Sequence, residues 1–242
     1  MSDLVWYIPT ALLLALLCLL VRRGVYRMCP FFFAYVAFGV AADVTRFLAR
    51  SRPSLYPWIY WMTEAGYDVF GILVMYEVLR AVLGNLTRMR WARLIFPGLV
   101  VAGFSLSLAR AHALPSHFGR GLAFNIMVGE IAVRFVQVFV FAGLVTLVPL
   151  LGLKWRQYPF GVATGFGLYA TVALLTTTKF SDFGTRFTFL WDVTSLVAYS
   201  VAVLIWIWFF SVPQKVQTPS SELSAPSPGV LKQYKDALRR MR

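Results

Sequence analysis

The sequence predicts an all-α, polytopic membrane protein with seven transmembrane helices, an outer N-terminus and a cytoplasmic C-terminus. Of its 242 residues, 59% are hydrophobic and only 14% are charged, whereas soluble globular chains carry about 25% charged residues. Seven stretches come close to or exceed the roughly 20 apolar residues that a spanning helix needs. The charges between these stretches are distributed unequally, which sets the orientation. We therefore expect a multi-pass protein of the inner (plasma) membrane, in contact with the lipid bilayer.

The predicted spans are separated by short connections that contain breakers and turn residues such as Pro and Gly. They cover residues 4–21, 30–49, 57–83, 92–109, 122–152, 159–178 and 187–211. Residues 1–211 are thus predicted to form one transmembrane bundle.

The first span is expected to be a retained helix rather than a signal peptide. A signal peptide carries its positive charges before the apolar run, but here Asp3 precedes the run and Arg22, Arg23 and Arg27 follow it. With the N-terminus outside, fifteen Lys and Arg residues fall on the cytoplasmic side, seven on the outer side and one, Arg134, within a span. This excess of cytoplasmic positive charge supports the predicted orientation.

Carboxylates occur at the outer end of the second span and along the third. A charge at the centre of a spanning helix costs about 2.5–3.5 kcal/mol, so such side chains are expected to face the bundle interior or a water-filled cavity. Asp43 lies one turn before Arg46. Two roles are equally expected for it: an ion pair with Arg46 at the membrane interface, or a position at the rim of a site. Glu77 precedes Arg80 by three residues, so the two are expected to pair at the cytoplasmic interface.

The third span also carries Glu64 and Asp68, which share one helical face with Tyr60. No Lys or Arg lies near these carboxylates on the same helix. Their partners must therefore come from other helices, or the carboxyl groups must keep their protons.

The fifth span offers such a partner. Glu130, Arg134 and Gln137 fall on one stripe of this span, and Arg134 is the one basic residue that lies deep in any predicted span. Counting from the outer ends with a rise of about 1.5 Å per residue, Arg134 lies near the depth of Asp68.

The seventh span adds Asp192, Ser195 and Tyr199 on one face. We predict that these side chains form a polar, ligand-binding cluster in the middle and outer half of the bundle. Its alternative role is a set of buried ion pairs that fix the helix register. Four carboxylates carry more negative charge than one arginine neutralises, which favours a ligand-binding role over a purely structural one. The predicted site residues are Tyr60, Glu64, Asp68, Glu130, Arg134, Gln137, Asp192 and Tyr199.

The sixth span and the tail carry sequence patterns that indicate structural roles rather than a binding or catalytic site. Gly161 and Gly165 form a small-xxx-small pattern, which allows two helix backbones to approach closely. Residues 212–229 are rich in Pro and Ser and are predicted to be a disordered linker. Residues 230–242 are predicted to form a basic amphipathic helix on the anionic inner leaflet.

Histidine and cysteine are too few to support metal or cofactor chemistry inside the bundle. His112 and His117 both fall in the loop after the fourth span, so neither a haem held by paired histidines nor a zinc hydrolase site is expected. The seventh span has no lysine for a retinal Schiff base. We predict no catalytic residue, no metal and no cofactor, and without a basic soluble domain we expect no nucleic acid as a partner.

Three short stretches carry a resemblance to a known group of proteins. They are CPFFFAY at 29–35, YPWIYWMTE at 56–64 and FGVATGFGLYA at 160–170. They resemble a group of bacterial seven-helix membrane proteins that has no assigned function, over helices one to seven and not the tail. The resemblance implies a seven-helix module and brings no activity and no site residues.

Three functions from different classes were weighed. The favoured one is a non-enzymatic sensor or binding protein, whose outward-facing intramembrane site takes a small ligand, lipid or cation and whose inner loops and tail contact a cytoplasmic protein. The second is a small proton-coupled transporter with Glu64 and Asp68 as titrating groups, although the inverted repeats and broken helices typical of transporters are not visible. The third, an intramembrane enzyme acting on lipid, lacks an activated nucleophile or a metal.

Overall fold

The structure is a computed structural model that describes residues 4–83, 90–111, 121–150, 157–183 and 188–212. These residues form seven α-helices and one short 3-10 turn, Val25–Arg27. The predicted all-α fold is confirmed. The helices are Leu4–Arg22 (α1), Pro30–Ala49 (α2), Tyr56–Leu83 (α3), Arg90–Ala111 (α4), Leu122–Leu150 (α5), Gln157–Phe183 (α6) and Thr188–Ser211 (α7).

Within the described part of the chain, four helices are long and apolar enough, by length and composition, to cross a membrane. Large apolar side chains also cover the outside of the bundle, and Leu48, Leu94 and Trp208 are each more than two-thirds exposed. An apolar outer surface of this kind suits contact with lipid. The bundle is therefore that of a membrane protein. The four apolar stretches are Pro30–Ala49, Phe124–Thr146, Tyr158–Thr176 and Val193–Ser211.

Six of the helices form a closed ring, and α4 lies outside it. Around the ring, α1 contacts α2, α2 contacts α3, α3 contacts α5, α5 contacts α6, α6 contacts α7, and α7 returns to α1. α4 packs mainly against α5 and touches α3 only slightly. The interior of the bundle is therefore bordered by six helices from both halves of the chain.

Aromatic side chains fill the end of the ring at which α2 begins and α7 ends. Phe32 lies next to Trp206 and Phe210, with ring centroids 5.2 and 5.3 Å apart. Phe166 of α6 lies 4.8 Å from Trp206. The Trp206 indole Nε1 donates a hydrogen bond to the Val162 carbonyl over 3.2 Å. These buried contacts join α2, α6 and α7.

The two α6 glycines allow these rings to approach the helix backbone. A Cβ atom on Gly165 would lie well inside van der Waals contact of Trp206 Nε1, and one on Gly161 would overlap the ring of Phe209. Both aromatic side chains come from α7. The predicted close packing of a helix against Gly161 and Gly165 is confirmed.

The N-terminus of α2 is capped by a carboxylate from α3. Cys29, the residue before the helix, makes no side-chain capping hydrogen bond, and Pro30 has no N–H group. The N–H groups of Phe31 and Phe32 donate to the two Glu77 oxygens over 3.2 and 2.9 Å. Glu77 thereby satisfies two donors that a helix leaves free at its start, and it places a negative charge at the positive end of the helix dipole.

The expected ion pair between Glu77 and Arg80 is wrong. Glu77 takes the α2 backbone as its partner, and within the described part of the chain no ion pair joins it to Arg80, which is exposed. Spacing along one helix reveals neighbours on that helix, but it cannot reveal N–H donors that a different helix contributes.

We expect Glu77→Ala to lower the free energy of unfolding by about 1–3 kcal/mol, because the substitution leaves two N–H groups without an acceptor. The matched control, Arg80→Ala, removes an exposed charge and should change stability by less than about 0.5 kcal/mol. Thermal unfolding in detergent, followed by circular dichroism, measures both variants. Equal losses for the two variants would contradict the capping role.

We expect Gly165→Ala to destabilise the bundle by about 1–3 kcal/mol, since the added methyl group must displace the Trp206 ring. Gly143 in α5 provides the control, because a Cβ atom there meets nothing within 4 Å. Gly143→Ala should be neutral or stabilising by up to about 1 kcal/mol, as alanine favours the helix. The same melting experiment compares them, and a Gly165→Ala variant as stable as Gly143→Ala would disprove the close contact.

Candidate functional site

A polar cavity of about 450 Å³ lies inside the six-helix ring. It extends from the last turns of α2 and the first turns of α3 as far as Phe166 of the aromatic cluster. Each of the six helices contributes to its wall, whereas none of the lining residues comes from the described part of α4.

The structure brings seven of the eight predicted site residues together in the wall of this cavity. Ser195, which was predicted to share a face with Tyr199, also lines it. Asp192 belongs to α7, but its side chain lies outside the described residues, so its place in the cluster stays a prediction. That these residues bind a ligand also stays a prediction. The seven are Tyr60, Glu64, Asp68, Glu130, Arg134, Gln137 and Tyr199.

Arg46 of α2 forms an ion pair with Glu64 of α3. Arg46 Nη2 lies 2.9 Å from Glu64 Oε1, and the two side chains are 19% and 20% exposed. Arg46 Nε also donates a hydrogen bond to Thr63 Oγ1 over 2.7 Å. The guanidinium carbon lies 4.8 Å from the centroid of the Tyr60 ring, which is within the range of a cation–π interaction. These contacts fix α2 against α3 at the cavity wall.

Arg134 of α5 pairs with Glu130, one turn earlier on the same helix. Its guanidinium carbon also lies 5.2 Å from the centroid of the Tyr169 ring of α6. The sequence suggested Arg134 as the partner of Glu64 and Asp68, but its ion pair is with Glu130, and Arg46 takes Glu64. Each arginine of the cavity thus has one carboxylate as its ion-pair partner, and Arg46 has two tyrosine rings and Arg134 one as neighbours.

Asp43 lies in the wall of the cavity, which agrees with the second of its two expected positions, the rim of a site. Its carboxylate accepts a hydrogen bond of 2.7 Å from Thr10 Oγ1 of α1. The alternative, an ion pair with Arg46, is not formed, since Arg46 pairs with Glu64.

Three polar groups in the wall lack a partner within the described part of the chain. The Asp68 carboxylate forms no hydrogen bond and no ion pair. The Gln137 amide oxygen and the Tyr199 hydroxyl are buried without a hydrogen bond. The Tyr35 hydroxyl lies near that of Tyr199, but the two groups are not aligned for a hydrogen bond. A buried polar group of this kind costs about 1–3 kcal/mol, and it usually indicates a site that water or a ligand occupies.

The cavity wall carries an excess of negative charge. Four carboxylates and two arginines line it, so two negative charges remain when all are ionised. Glu64 and Glu130 form ion pairs with arginines, and Asp43 accepts a hydrogen bond from a hydroxyl group. Asp68 has no ion pair or hydrogen bond with any described residue. An uncompensated charge in a low-dielectric interior is costly and favours the uptake of a positive partner.

Sequence reasoning missed Arg46, Tyr67 and Tyr169 as site residues. Arg46 was assigned to the outer surface, although it shares a face with Asp43 at a spacing of three residues. Tyr67 follows Glu64 by three residues and extends the polar stripe of α3, so the helical spacing contained a signal for it. No charged residue marked the face of α6 that carries Tyr169.

Comparisons of this chain with protein-family models, with curated proteins and with solved structures find no match. The resemblance of three stretches to bacterial seven-helix membrane proteins stays a prediction.

We expect Glu130→Gln and Asp68→Asn to differ in stability although each removes one carboxylate charge from the same cavity. Glu130→Gln leaves the Arg134 guanidinium, whose side chain is 15% exposed, without its ion-pair partner and should cost about 1–3 kcal/mol. Asp68→Asn removes an unmatched carboxyl group and should leave the melting temperature unchanged or raise it. Thermal unfolding in detergent compares the two, and a large loss for Asp68→Asn would show that Asp68 has a stabilising partner.

Proposed function

We propose that the protein is a non-enzymatic seven-helix membrane module, a sensor or binding protein that takes a small ligand into the cavity from the outer side of the membrane. The observation that supports this most is the set of unpartnered groups on Asp68, Gln137 and Tyr199 in one cavity. Its volume of about 450 Å³ falls in the range of about 300–1,000 Å³ that is typical of small-molecule sites.

The proposal includes α1, α3 and α4 among the transmembrane spans. With 19, 28 and 22 residues, these helices extend over about 28, 42 and 33 Å, and the hydrocarbon core is about 30 Å thick. The carboxylates of α3 lower its hydropathy, but Glu64 and Asp68 face the cavity and Glu77 faces α2. Trp58 and Val69, by contrast, are about 60% exposed on the outside of the same helix.

The orientation follows from the charge distribution. With seven spans, the excess of Lys and Arg on one side supports a cytoplasmic C-terminus and an outer N-terminus. The cavity then lies in the outer half of the bundle, where α2 ends and α3 begins. The inner loops and residues 230–242 would meet a cytoplasmic protein partner; the tail and much of these loops lie outside the described residues.

A proton-coupled transporter remains the second candidate because of one observation, the unmatched Asp68 carboxylate. Glu64, the other titrating group that was predicted, is held by Arg46, so Asp68 would carry the proton. In proteoliposomes with a pH gradient, a carrier would show proton flux that depends on an added solute and is abolished in Asp68→Asn.

We expect a cysteine introduced at Ser195 to react with a membrane-impermeant maleimide from the outer side and not from the cytoplasmic side. Ser195 lines the cavity, whereas the control position Ser200, on the same helix, does not. Right-side-out and inside-out membrane vesicles of the full chain, labelled in parallel and analysed by gel shift, measure the side of access.

The natural cysteines should give little background in this experiment. Cys18 is exposed on the apolar outside of α1, which would face lipid. Cys29 is buried, and burial, assisted by the Glu77 carboxylate, raises the pKa of its thiol to about 12, so the reactive thiolate is scarce. Labelling of Ser195→Cys from the cytoplasmic side, or from neither side, would overturn the proposed outward-facing site.

A further inference from the structure

We propose that the cavity selects a small organic cation, a protonated amine with an apolar body, whose ammonium group binds the Asp68 carboxylate among the tyrosine rings of the wall. This inference rests on the proposed function, because it names the ligand class of the same cavity. Charge, hydrogen-bond acceptors and aromatic rings each support it separately.

The charge of the wall favours a cation over an anion. Both arginines already have a carboxylate as a partner, so their positive charges are compensated. When the four carboxylates are ionised, an anion would add to the two negative charges in excess, whereas a monovalent cation beside Asp68 removes one of them. Like-charge juxtaposition in a desolvated site costs several kcal/mol, so selection by the sign of the charge is expected to be strong.

The free hydrogen-bonding groups are mainly acceptors. The Asp68 carboxylate, an acceptor when ionised, reaches towards α5, because a Cβ atom on Gly129 would lie 3.4 Å from Asp68 Oδ2. Gln137 lies next to Gly71, and a Cβ atom there would be 3.2 Å from Gln137 Nε2. Asp68 and Gly71 are three residues apart on α3, so Asp68 and Gln137 border neighbouring parts of the same cavity wall.

These acceptors suit a group that donates several hydrogen bonds. The Gln137 amide oxygen is free, its side chain is 5% exposed and it lines the cavity. The Tyr199 hydroxyl is also free and can accept. An ammonium group carries up to three N–H donors and no acceptor, so it complements Asp68 and Gln137 better than a hydroxyl or carboxylate group does.

Five tyrosines line the cavity, and their rings suit the cation and its apolar body. Tyr60, Tyr67 and Tyr169 already lie beneath the guanidinium groups of Arg46 or Arg134. The ring of Tyr199 has no such cation among the described residues. Tyr35 is 5% exposed, and its ring packs against Phe166 and Trp206. Tyrosine faces attract cations, with contributions of about 2 kcal/mol when the pair is desolvated.

The arrangement of the carboxylates favours an organic cation over a metal ion. Among the described residues, no three acidic, His or Cys side chains converge as metal ligands do. The negative charge is instead spread around a cavity that is large enough for a molecule of several carbon atoms.

The experiment compares three probes of similar size: 2-phenylethylammonium, 2-phenylethanol and 3-phenylpropanoate. The full chain in lipid nanodiscs is titrated with each probe at pH 7 by isothermal calorimetry. We expect the ammonium probe to bind at least tenfold more tightly than the neutral and anionic probes. Charge-assisted hydrogen bonds of the expected strength correspond to about 10- to 100-fold in affinity.

Variants assign the selectivity to named groups. Asp68→Asn should weaken ammonium binding by about 10- to 100-fold and leave binding of 2-phenylethanol unchanged. Tyr199→Phe, which keeps the ring and removes the free hydroxyl, should weaken it severalfold. The matched control is Tyr76→Phe on the exposed side of α3, which should change nothing. Unchanged melting temperatures without probe show that the variants are folded.

A second measurement uses the cysteine at position 195. Ser195→Cys is treated with cationic trimethylammonioethyl methanethiosulfonate and with the anionic sulfonatoethyl reagent, and the two reaction rates are compared. The ratio of the cationic rate to the anionic rate should be at least tenfold higher than the same ratio for a free thiol in solution. Adding Asp68→Asn should reduce this preference.

The outcomes separate the ligand class from the proposed function. Equal binding of the three probes, preference for the neutral or anionic probe, or binding of none would overturn the cation inference. Access of both thiosulfonates to position 195 from the outer side would still support an outward-facing site. No access from that side would overturn the proposed function itself.

Discussion

The ion pair between Arg46 and Glu64 joins α2 to α3 at the wall of the cavity, and the other charged groups of the cavity line the same wall. Charged groups inside a bundle of membrane dimensions are stable only when they face inward and are paired. Arg46 meets this requirement with Glu64, Thr63 and the Tyr60 ring, and Arg134 meets it with Glu130 and Tyr169. Asp68 does not meet this requirement among the described residues, and a ligand is expected to bind beside an unpaired carboxylate of this kind.

The two ends of the ring serve different purposes. At one end, Trp206 and its aromatic neighbours pack on the glycine face of α6, and Glu77 caps α2. These contacts contribute stability and leave few polar groups without a partner. At the other end, a cavity replaces packed side chains, and Gln137 and Tyr199 keep free polar atoms. The packing at the aromatic end contributes stability, and ligand binding is proposed to use the polar groups at the cavity end.

The helices were predictable because a span of about 20 apolar residues is a strong signal. Helical spacing also placed Glu64 and Asp68 on one face, and the structure shows that this face borders the cavity. Partners across helices were not predictable in the same way. Glu77 was assigned to Arg80 by its spacing but caps α2, and Arg134 was assigned to Asp68 by its depth but pairs with Glu130. Depth and spacing limit which side chains can meet; the rotation of each helix about its axis decides which of them do.

An experimental structure of the full chain, crystallised from a lipid mesophase, tests the central claim most directly. The claim is that six helices enclose one cavity, that the charges of α2, α3 and α5 face it, and that Asp68 is the carboxylate without a described partner. The predicted result is a distance of about 3 Å between Arg46 and Glu64 and direct pairing of Arg134 with Glu130. Asp68 should face the same cavity without a protein cation beside it. An Arg134 side chain that faces lipid, or one that pairs with Asp68, would contradict the account.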